Sequence, residues 1–274
     1  MSGTALALAL AAAALHAGWN TAVAGRRDPE AASAALILSA IGLFLLPAVL
    51  TWRVDGEAVP YVVASSFLHF AYFAGLAAAY ARADLSVVYP VARGVGPVFV
   101  LVVGLLALGD RVSGGQAGGV ALVALGVLLV RGPRGEVHWG DLGLALFVAA
   151  CIGGYTLVDK DGVQHAAPLP YLLLINTGMA VLYVPFVLRI RGAAALRAEM
   201  GPRSLAAGGA AMGAYALVLA ALKLAPAAAV AAVRESSVVM AAFLARAMLK
   251  EPVGPGRLAG AGVVAAGIAL IALT

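Results

Sequence analysis

Long apolar runs separated by short polar connections follow one another along the whole chain of 274 residues. Each run is about 20 residues long, the length that an α-helix needs to cross a hydrocarbon core of about 30 Å. The runs lack the alternation of apolar and polar positions that is typical of outer-membrane barrels. The pattern predicts an all-α integral membrane fold with ten transmembrane helices, near residues 4–24, 32–51, 60–80, 85–109, 115–131, 141–158, 170–189, 204–223, 227–249 and 257–273.

The chain also repeats itself. Four residues in the first half are matched 141 positions later by similar or identical ones: Arg93, Asp110, Gly119 and Gly126 by Arg234, Glu251, Gly260 and Gly267. This predicts two repeats of five helices, over residues 1–135 and 136–274. Because five is odd, the second repeat enters the bilayer upside down relative to the first. Such inverted-topology repeats are typical of secondary transporters, whose sites lie between the repeats.

Composition agrees with a membrane protein. The chain is 63% hydrophobic and 11% charged, against about 25% charged in soluble domains. The first run lacks a charged leading segment and is interpreted as a retained helix rather than a signal peptide. A single cysteine, Cys151, excludes an intrachain disulfide. The net charge of +5 lies mainly in the connections, so the expected partner is the lipid bilayer and not nucleic acid.

Two arginines lie deep in apolar runs. Arg93 and Arg234 are seven or eight residues into the predicted fourth and ninth helices, about 10–12 Å at 1.5 Å per residue. An ionisable side chain at such depth is costly and marks a functional hypothesis. A guanidinium suits a carboxylate or phosphonate of a substrate. The alternative is a structural clamp between helices.

Glu235 is predicted to be the acidic residue well inside a span, with the other carboxylates in connections or at helix ends. It is therefore a candidate for proton coupling. A permanent ion pair with Arg93 explains it equally well. Asp159, Lys160 and Asp161 are interpreted as the solvated end of the sixth helix, with Lys160 a weaker candidate for a gate.

Aromatic and polar residues recur near the predicted centre. His16, Trp19 and Asn20 share one face of the first helix at positions i, i+3 and i+4. A cavity with aromatic walls and a few polar groups suits a small molecule, although each residue alone also fits a helix core. His16 is a second candidate proton carrier. The further lining residues proposed on this ground are Tyr72, Tyr89, Tyr155 and Tyr215, with His69 nearby.

Pro90 removes a backbone donor just before Arg93 and is predicted to act as a hinge in the fourth helix. Motifs for nucleotide binding, metal ligation or a nucleophile elbow are lacking in the sequence. We therefore expect no cofactor, no metal and no enzymatic activity. Transport energy is expected to come from a gradient.

Several segments resemble the EamA-type transporters of the drug/metabolite transporter superfamily. They are Val88 to Gly94, Pro97, Leu108 to Arg111 with its Leu-Gly-Asp sequence, and His16 to Asn20 near the start. The resemblance extends over nearly the whole chain. It implies a secondary transporter of small organic metabolites, often directed outward, with a central cavity between the repeats. It also implies cytoplasmic termini, whereas twelve of the sixteen basic residues in connections lie on the face away from the termini, and the positive-inside rule places that face in the cytoplasm.

Together these features predict a secondary active transporter in the cell membrane, an exporter of an amino acid or another carboxylate-bearing metabolite that works by alternating access. A monomer is expected to suffice. Efflux of lipophilic cations by proton exchange is the alternative within transport, with Glu235 as the counter-ion. An intramembrane lipid-modifying enzyme is the alternative from another class.

Overall fold

The computed structural model describes residues 1–23, 28–82, 85–109, 111–131, 139–240, 243 and 254–274, most of which are helical. The helices of the first half are α1 (Gly3–Val23), α2 (Pro29–Leu50), α3 (Val59–Arg82), α4 (Leu85–Ala107) and α5 (Gly114–Arg131). The second half contains α6 (Trp139–Gly162), α7 (Pro168–Glu199), α8 (Pro202–Leu224), α9 (Ala227–Arg234) and α10 (Pro255–Leu273). Short 3₁₀ turns, Gly56–Ala58 and Val163–His165, precede α3 and α7.

Local sequence accounts for where several helices begin. Asp28 caps α2 by accepting a hydrogen bond from the Ala31 backbone nitrogen at 3.0 Å, and Ser113 caps α5 through the Gln116 nitrogen at 3.0 Å. Proline suits the first helical turn because its missing N–H has no partner there. It occupies that turn in α2, α7, α8 and α10, as Pro29, Pro168, Pro202 and Pro255.

Two helices differ from the predicted spans by more than a few residues. α7 extends to Glu199, past the predicted end at residue 189, after a kink at Gly192 where φ is 82°. The predicted ninth span, residues 227–249, contains a turn: α9 ends at Arg234, Glu235 forms the turn, and residues 236–240 are helical again. Asp110 and Glu251 of the repeat pattern lie outside the described residues.

Length and surface chemistry make the molecule a multi-pass membrane protein. In the described ranges, five helices are long and apolar enough to cross a membrane, and four shorter apolar helical segments accompany them. Large apolar side chains point outward, among them Leu46, Phe67 and Val181, which are 66%, 61% and 68% exposed. Such a surface is stable against lipid but not against water.

The helices of the two halves interleave in a regular way. α1 packs on α8 as α6 packs on α3, and α4 packs on α6 as α9 packs on α1. Likewise α2 packs on α8 as α7 packs on α3. α2 and α7 contact each other, and so do α5 and α10. Exchanging each helix for the one five positions along the chain therefore leaves this set of contacts unchanged.

α5 and α10 run antiparallel in close contact. A β-carbon on Gly119 would lie 2.8 Å from the carbonyl oxygen of Gly267, and one on Gly126 would lie 2.8 Å from that of Gly260. Only glycine permits such backbone approach, and van der Waals packing of this kind associates helices in lipid. The same four glycines are the ones repeated along the sequence.

One face of the bundle, which we call the terminal face, carries both ends of the chain. The Met1 amino group lies 3.5 Å from the carbonyl oxygen of Ile271. On this face the α2–α3 and α6–α7 connections pair, with the Asp55 nitrogen donating to the His165 oxygen at 2.9 Å. The His165 Nδ1 lies 3.0 Å from Oε2 of Glu57, a further contact between the same connections. On the opposite face, Arg191 binds Glu30 at 3.0 Å.

We predict that Gly260→Val destabilises the bundle by about 1–3 kcal/mol, the usual cost of overpacking. The new side chain would collide with backbone atoms of α5, including the Gly126 oxygen at 2.8 Å. Gly262→Val is the matched control on the same helix, because a β-carbon there has no neighbour within 4 Å. Thermal unfolding of the purified proteins in detergent measures the difference. Equal melting temperatures for the two variants would contradict the close α5–α10 contact.

Candidate functional site

A cavity of about 360 Å³ lies between the halves of the bundle. Helices α1 to α4 and α6 to α9 contribute to its lining, and no described residue of α5 or α10 does. The lining extends from the middle of the bundle to Pro29, at the start of α2 on the opposite face. Eight of the residues singled out in the sequence line this cavity: His16, Trp19, His69, Tyr72, Arg93, Tyr155, Tyr215 and Arg234.

The two arginines have different partners. The Arg93 Nε lies 2.9 Å from Oε2 of Glu235, and its Nη2 donates to the hydroxyl of Ser237 at 2.9 Å. Arg93 is 5% exposed and Glu235 3%. The ion pair predicted as the alternative to a coupling role for Glu235 is therefore present. It joins α4 of the first half to the chain just after α9 of the second half.

The turn at Glu235 brings these partners together. The Glu235 nitrogen donates to Ala232 at 3.0 Å and the Val238 nitrogen to Glu235 at 2.9 Å, both i to i−3 bonds typical of a tightened 3₁₀ turn. The Ser236 hydroxyl donates back to the Val233 carbonyl at 2.8 Å, a bond that competes with regular helix. The polar sequence Arg-Glu-Ser-Ser thus provides the local cause of the helix break.

Arg234, at the end of α9, belongs to the cavity wall and is 9% exposed. Its Cζ lies 5.3 Å from the ring centroid of Tyr215, a cation-π arrangement, and the guanidinium also interacts with the hydroxyl of Tyr155. Within the described part of the chain, no carboxylate oxygen lies within 4.0 Å of its guanidinium nitrogens. The charge of Arg93 is neutralised by Glu235, whereas Arg234 presents its charge to the cavity.

Aromatic rings form one side of the cavity. The His69 and Tyr155 rings stack with centroids 4.0 Å apart, and Tyr72 and Tyr215 meet Tyr155 edge-on at 6.2 and 5.9 Å. His16 and Trp19 form a T-shaped pair at 5.0 Å on α1. The His69 Nδ1 lies 2.9 Å from the Ser65 carbonyl oxygen, which can only accept, so this nitrogen carries a proton.

Asp159 is the main residue that the sequence interpretation misplaced. It was assigned to a solvated helix end, yet it is 0% exposed within α6. Its Oδ1 accepts from the Tyr171 hydroxyl at 3.0 Å and its Oδ2 from the Tyr215 hydroxyl at 2.5 Å. Helical spacing offered a signal for this position, because Asp159 lies four residues after Tyr155 and so on the same face. Glu235 is therefore not alone among carboxylates inside the bundle.

Lys160 also differs from its assignment to a solvated connection. Its Nζ donates to the carbonyl oxygens of Leu222 at 2.6 Å and Ala225 at 3.1 Å, at the C-terminal end of α8. A lysine at this position satisfies carbonyls that the helix leaves unbonded. The contact ties α6 to α8, which argues for a structural role.

The remaining candidate site residues either do not line the cavity or have side chains outside the described part of the chain. Glu235 lies behind Arg93 and does not line the cavity. Asn20, Tyr89 and Pro90 belong to α1 and α4, but their side chains lie outside the described part, so a lining or hinge role stays a prediction. Among the described residues, no cluster of three or more His, Cys, Asp and Glu side chains is arranged to hold a metal ion.

We predict that Glu235→Ala lowers the unfolding free energy by about 3–5 kcal/mol, because Arg93 would keep a buried charge without its carboxylate. The double variant Arg93→Leu/Glu235→Leu should recover most of the loss, since it removes both charges. Glu30→Ala is the control: its partner Arg191 is 44% exposed, and such pairs contribute about 1 kcal/mol or less. Thermal unfolding of all three variants provides the comparison. A loss from Glu235→Ala no larger than that from Glu30→Ala would argue against the buried pair.

Comparison with known proteins confirms the family resemblance found in the sequence. The model of the EamA-like transporter family matches residues 139–273, the second half of the chain. No curated protein sequence matches. A solved structure described as "Crystal structure of protein" aligns over 100% of this chain and 99% of that one, with a TM-score of 0.78 and 14% identity, which supports the fold alone. The family match and the apolar helical bundle show that this multi-pass membrane protein belongs to the EamA-type transporters of the drug/metabolite transporter superfamily.

Proposed function

We propose that the chain is a secondary active transporter that exports a small carboxylate-bearing metabolite, such as an amino acid, across the cell membrane by alternating access. The observation that carries this proposal is the contrast between the arginines. Arg93 is paired with Glu235, whereas Arg234 presents its charge to the cavity with no described carboxylate within 4.0 Å. A buried cation in lipid surroundings needs a counter-charge, and an anionic substrate supplies one.

The surroundings of Arg234 suit a small organic anion. A guanidinium offers paired N–H donors that match the two oxygens of a carboxylate. The aromatic rings beside it provide apolar contact, and the volume of about 360 Å³ is at the lower end of small-molecule sites. A metabolite with a carboxylate and a compact apolar body fits this chemistry.

The packing supports inverted repeats over residues 1–135 and 136–274. α5 and α10 occupy equivalent positions in the two halves, and they run antiparallel with their repeated glycines in contact. Two equivalent helices that run antiparallel are related by an axis perpendicular to both. With helices crossing the membrane, that axis lies in the membrane plane, as in inverted-repeat transporters.

The described conformation fits one end state of alternating access. The cavity extends toward the opposite face, while the α2–α3 and α6–α7 connections pair across the terminal face. Beneath them, Lys223 donates to the Ala166 carbonyl at 3.1 Å. We infer that substrate reaches Arg234 from the opposite face in this state and leaves when the terminal-face contacts separate.

The alternatives have less support from the site. A lipophilic cation needs an available carboxylate, but Glu235 is engaged by Arg93, and Asp159 does not line the cavity. Arg234 would also repel such a cargo. A lipid-modifying enzyme needs an acid–base pair at the substrate, whereas His16 and His69 lie against aromatic rings. Membership of a transporter family also argues for transport.

We predict that carboxylates stabilise the purified protein in a thermal-shift panel of amino acids, organic acids, phosphonates, amines and lipophilic cations. A ligand that binds the folded state raises the melting temperature. Arg234→Gln should abolish this stabilisation. Arg234→Lys should retain part of it, because the positive charge remains while the paired N–H donors of the guanidinium are lost. Arg203→Gln, which removes an arginine that does not line this cavity, is the control. Stabilisation by lipophilic cations alone, lost in Glu235→Gln, would reject the proposal in favour of cation efflux.

Alternating access predicts opposite changes of accessibility at the two faces. Cys151→Ala gives a cysteine-free background, because Cys151 is the chain's one cysteine. Ser33→Cys lines the cavity near the opposite face, and Val163→Cys is buried at the terminal face. A transported carboxylate should slow labelling of Ser33→Cys by a membrane-impermeant maleimide and speed that of Val163→Cys. Parallel changes at both sites, or none, would contradict the mechanism.

A further inference from the structure

We propose that Asp159 is a proton-binding site on the closed side of the cavity, and that it takes up a proton together with the carboxylate that binds at Arg234. This inference rests on the proposed function for its anionic substrate. It assigns the coupling role to Asp159, in place of the sequence-predicted candidates Glu235 and His16.

The first argument is the position of the carboxyl group. Asp159 is 0% exposed, and in the described ranges no cationic nitrogen lies within 4.0 Å of its oxygens. Glu235, by contrast, has its charge balanced by Arg93. A buried carboxylate without a counter-ion is costly, whereas its protonated form is neutral. Of Asp159 and Glu235, Asp159 is the one whose ionised form has no cationic partner within 4.0 Å among the described residues, which favours binding of a proton.

The groups that face Asp159 from the neighbouring helices do not balance the charge of its ionised form. From α3 come His69 and Ser65, and from α7 and α8 the hydroxyls of Tyr171 and Tyr215. On α6 itself, Lys160 is engaged with carbonyls at the end of α8, and Asp161 is exposed. From α9, Arg234 acts through Tyr215, whose ring it covers. The nearest groups are thus neutral phenols, a hydroxyl and a histidine.

The hydrogen bonds of Asp159 change with its protonation. When it is ionised, the phenols of Tyr171 and Tyr215 both donate to it, one to each oxygen. When a proton adds to Oδ2, the new O–H donates and the Tyr215 oxygen accepts. The Tyr215 hydroxyl hydrogen must then turn away to another acceptor. Since Tyr215 lines the cavity beneath Arg234, protonation of Asp159 alters the wall of the substrate site.

The cavity also offers a route for the proton. Tyr215 connects Asp159 directly to the cavity, and the His69 ring packs edge-on against it with centroids 5.5 Å apart. His69 donates through Nδ1 to the Ser65 carbonyl, so its Nε2 keeps a lone pair for proton transfer. Both residues line the cavity, from which water can deliver the proton.

Substrate and proton are linked through charge. Asp159 and Arg234 both act electrostatically on Tyr215 and His69, from opposite signs. A carboxylate bound at Arg234 adds a second negative charge to this buried region, which disfavours ionised Asp159. By reciprocity, a protonated Asp159 favours binding of the anion. A monoanion that moves with one proton carries no net charge, so the membrane potential does not act on its movement, and the concentration gradients of substrate and proton together set the direction.

Infrared difference spectroscopy of the purified full-length protein tests the proton site without any substrate. Between about pH 5 and about pH 9 we expect a carboxylic-acid band that disappears as the pH rises. Asp159→Asn should lack this band, and the control Asp161→Asn should keep it. Tyr171→Phe and Tyr215→Phe should each shift its frequency by removing one hydrogen bond. These two variants keep the test decisive should Asp159→Asn fail to fold.

The proton site is rejected by a spectrum with no titrating carboxyl band, or by a band that survives in Asp159→Asn. It is also rejected by a band that moves in neither tyrosine variant. A band that is lost in Glu235→Gln instead would assign proton binding to Glu235.

Benzoate, which stays ionised over this pH range and carries both a carboxylate and a ring, tests the linkage. Its dissociation constant for the wild-type protein should rise by up to about tenfold per pH unit above the midpoint of the band. Asp159→Asn should bind it with the same affinity at every pH. Affinity that is independent of pH in the wild type would overturn the linkage.

Arg234→Gln separates this proposal from the proposed function. It should lose benzoate binding while keeping the Asp159 band, because the proton site does not depend on the arginine for its hydrogen bonds. A wild-type protein that binds no carboxylate at all would refute the proposed function, and the infrared band would still decide whether Asp159 binds a proton.

Discussion

The buried ion pair between Arg93 and Glu235 is the interaction on which the site depends. Lipid offers no counter-charge, so an arginine 5% exposed in the bundle must find its partner within the protein. Glu235 reaches it because α9 breaks at that residue, and Ser237 completes the contact from the far side of the break. The pair links the two halves and leaves Arg234, one residue earlier, to the cavity. Without the pair, two uncompensated positive charges would face the same space.

The helices around this ion pair fall into two groups. α5 and α10 pack tightly against each other, and the other helices form the walls of the cavity. α5 and α10 approach through glycine with backbone atoms in contact, and no described residue of either lines the cavity. The other helices carry the aromatic and charged side chains that surround the cavity. Close backbone contact gives a firm interface where no ligand binds, whereas larger side chains leave space where one does. This division places the charged and aromatic side chains on the helices that surround the cavity, apart from the glycine-packed pair.

Charge in the bundle is distributed in a way that suits an anion and a proton together. One arginine is neutralised by a glutamate, the second is available, and a second acid is held by two phenols. Tyr215 connects the available arginine with that acid, through its ring on one side and its hydroxyl on the other. A single side chain therefore contacts both proposed binding sites. Coupling between the proposed anion and proton sites needs no long pathway, since a change in the hydrogen bond between Tyr215 and Asp159 affects both sites.

The sequence by itself determined the membrane fold, because it contains ten apolar runs and the length of each run matches the thickness of the bilayer. It also determined which residues are costly at depth, and so pointed to Arg93, Arg234 and the aromatic cluster around Tyr155. It did not reveal that α9 breaks at Glu235, because residues 227–240 fall within one predicted span, although the Ser236 hydroxyl that donates to the Val233 carbonyl gives the break a local cause. Nor did it place Asp159, which follows an apolar stretch at a helix end and looks solvated until α7 and α8 cover it with Tyr171 and Tyr215. Tertiary structure alone decided that Arg93 is paired with Glu235 while Arg234, on the same cavity, has no described carboxylate within 4.0 Å, because local sequence specifies how deep a charge lies but not which helix brings its partner.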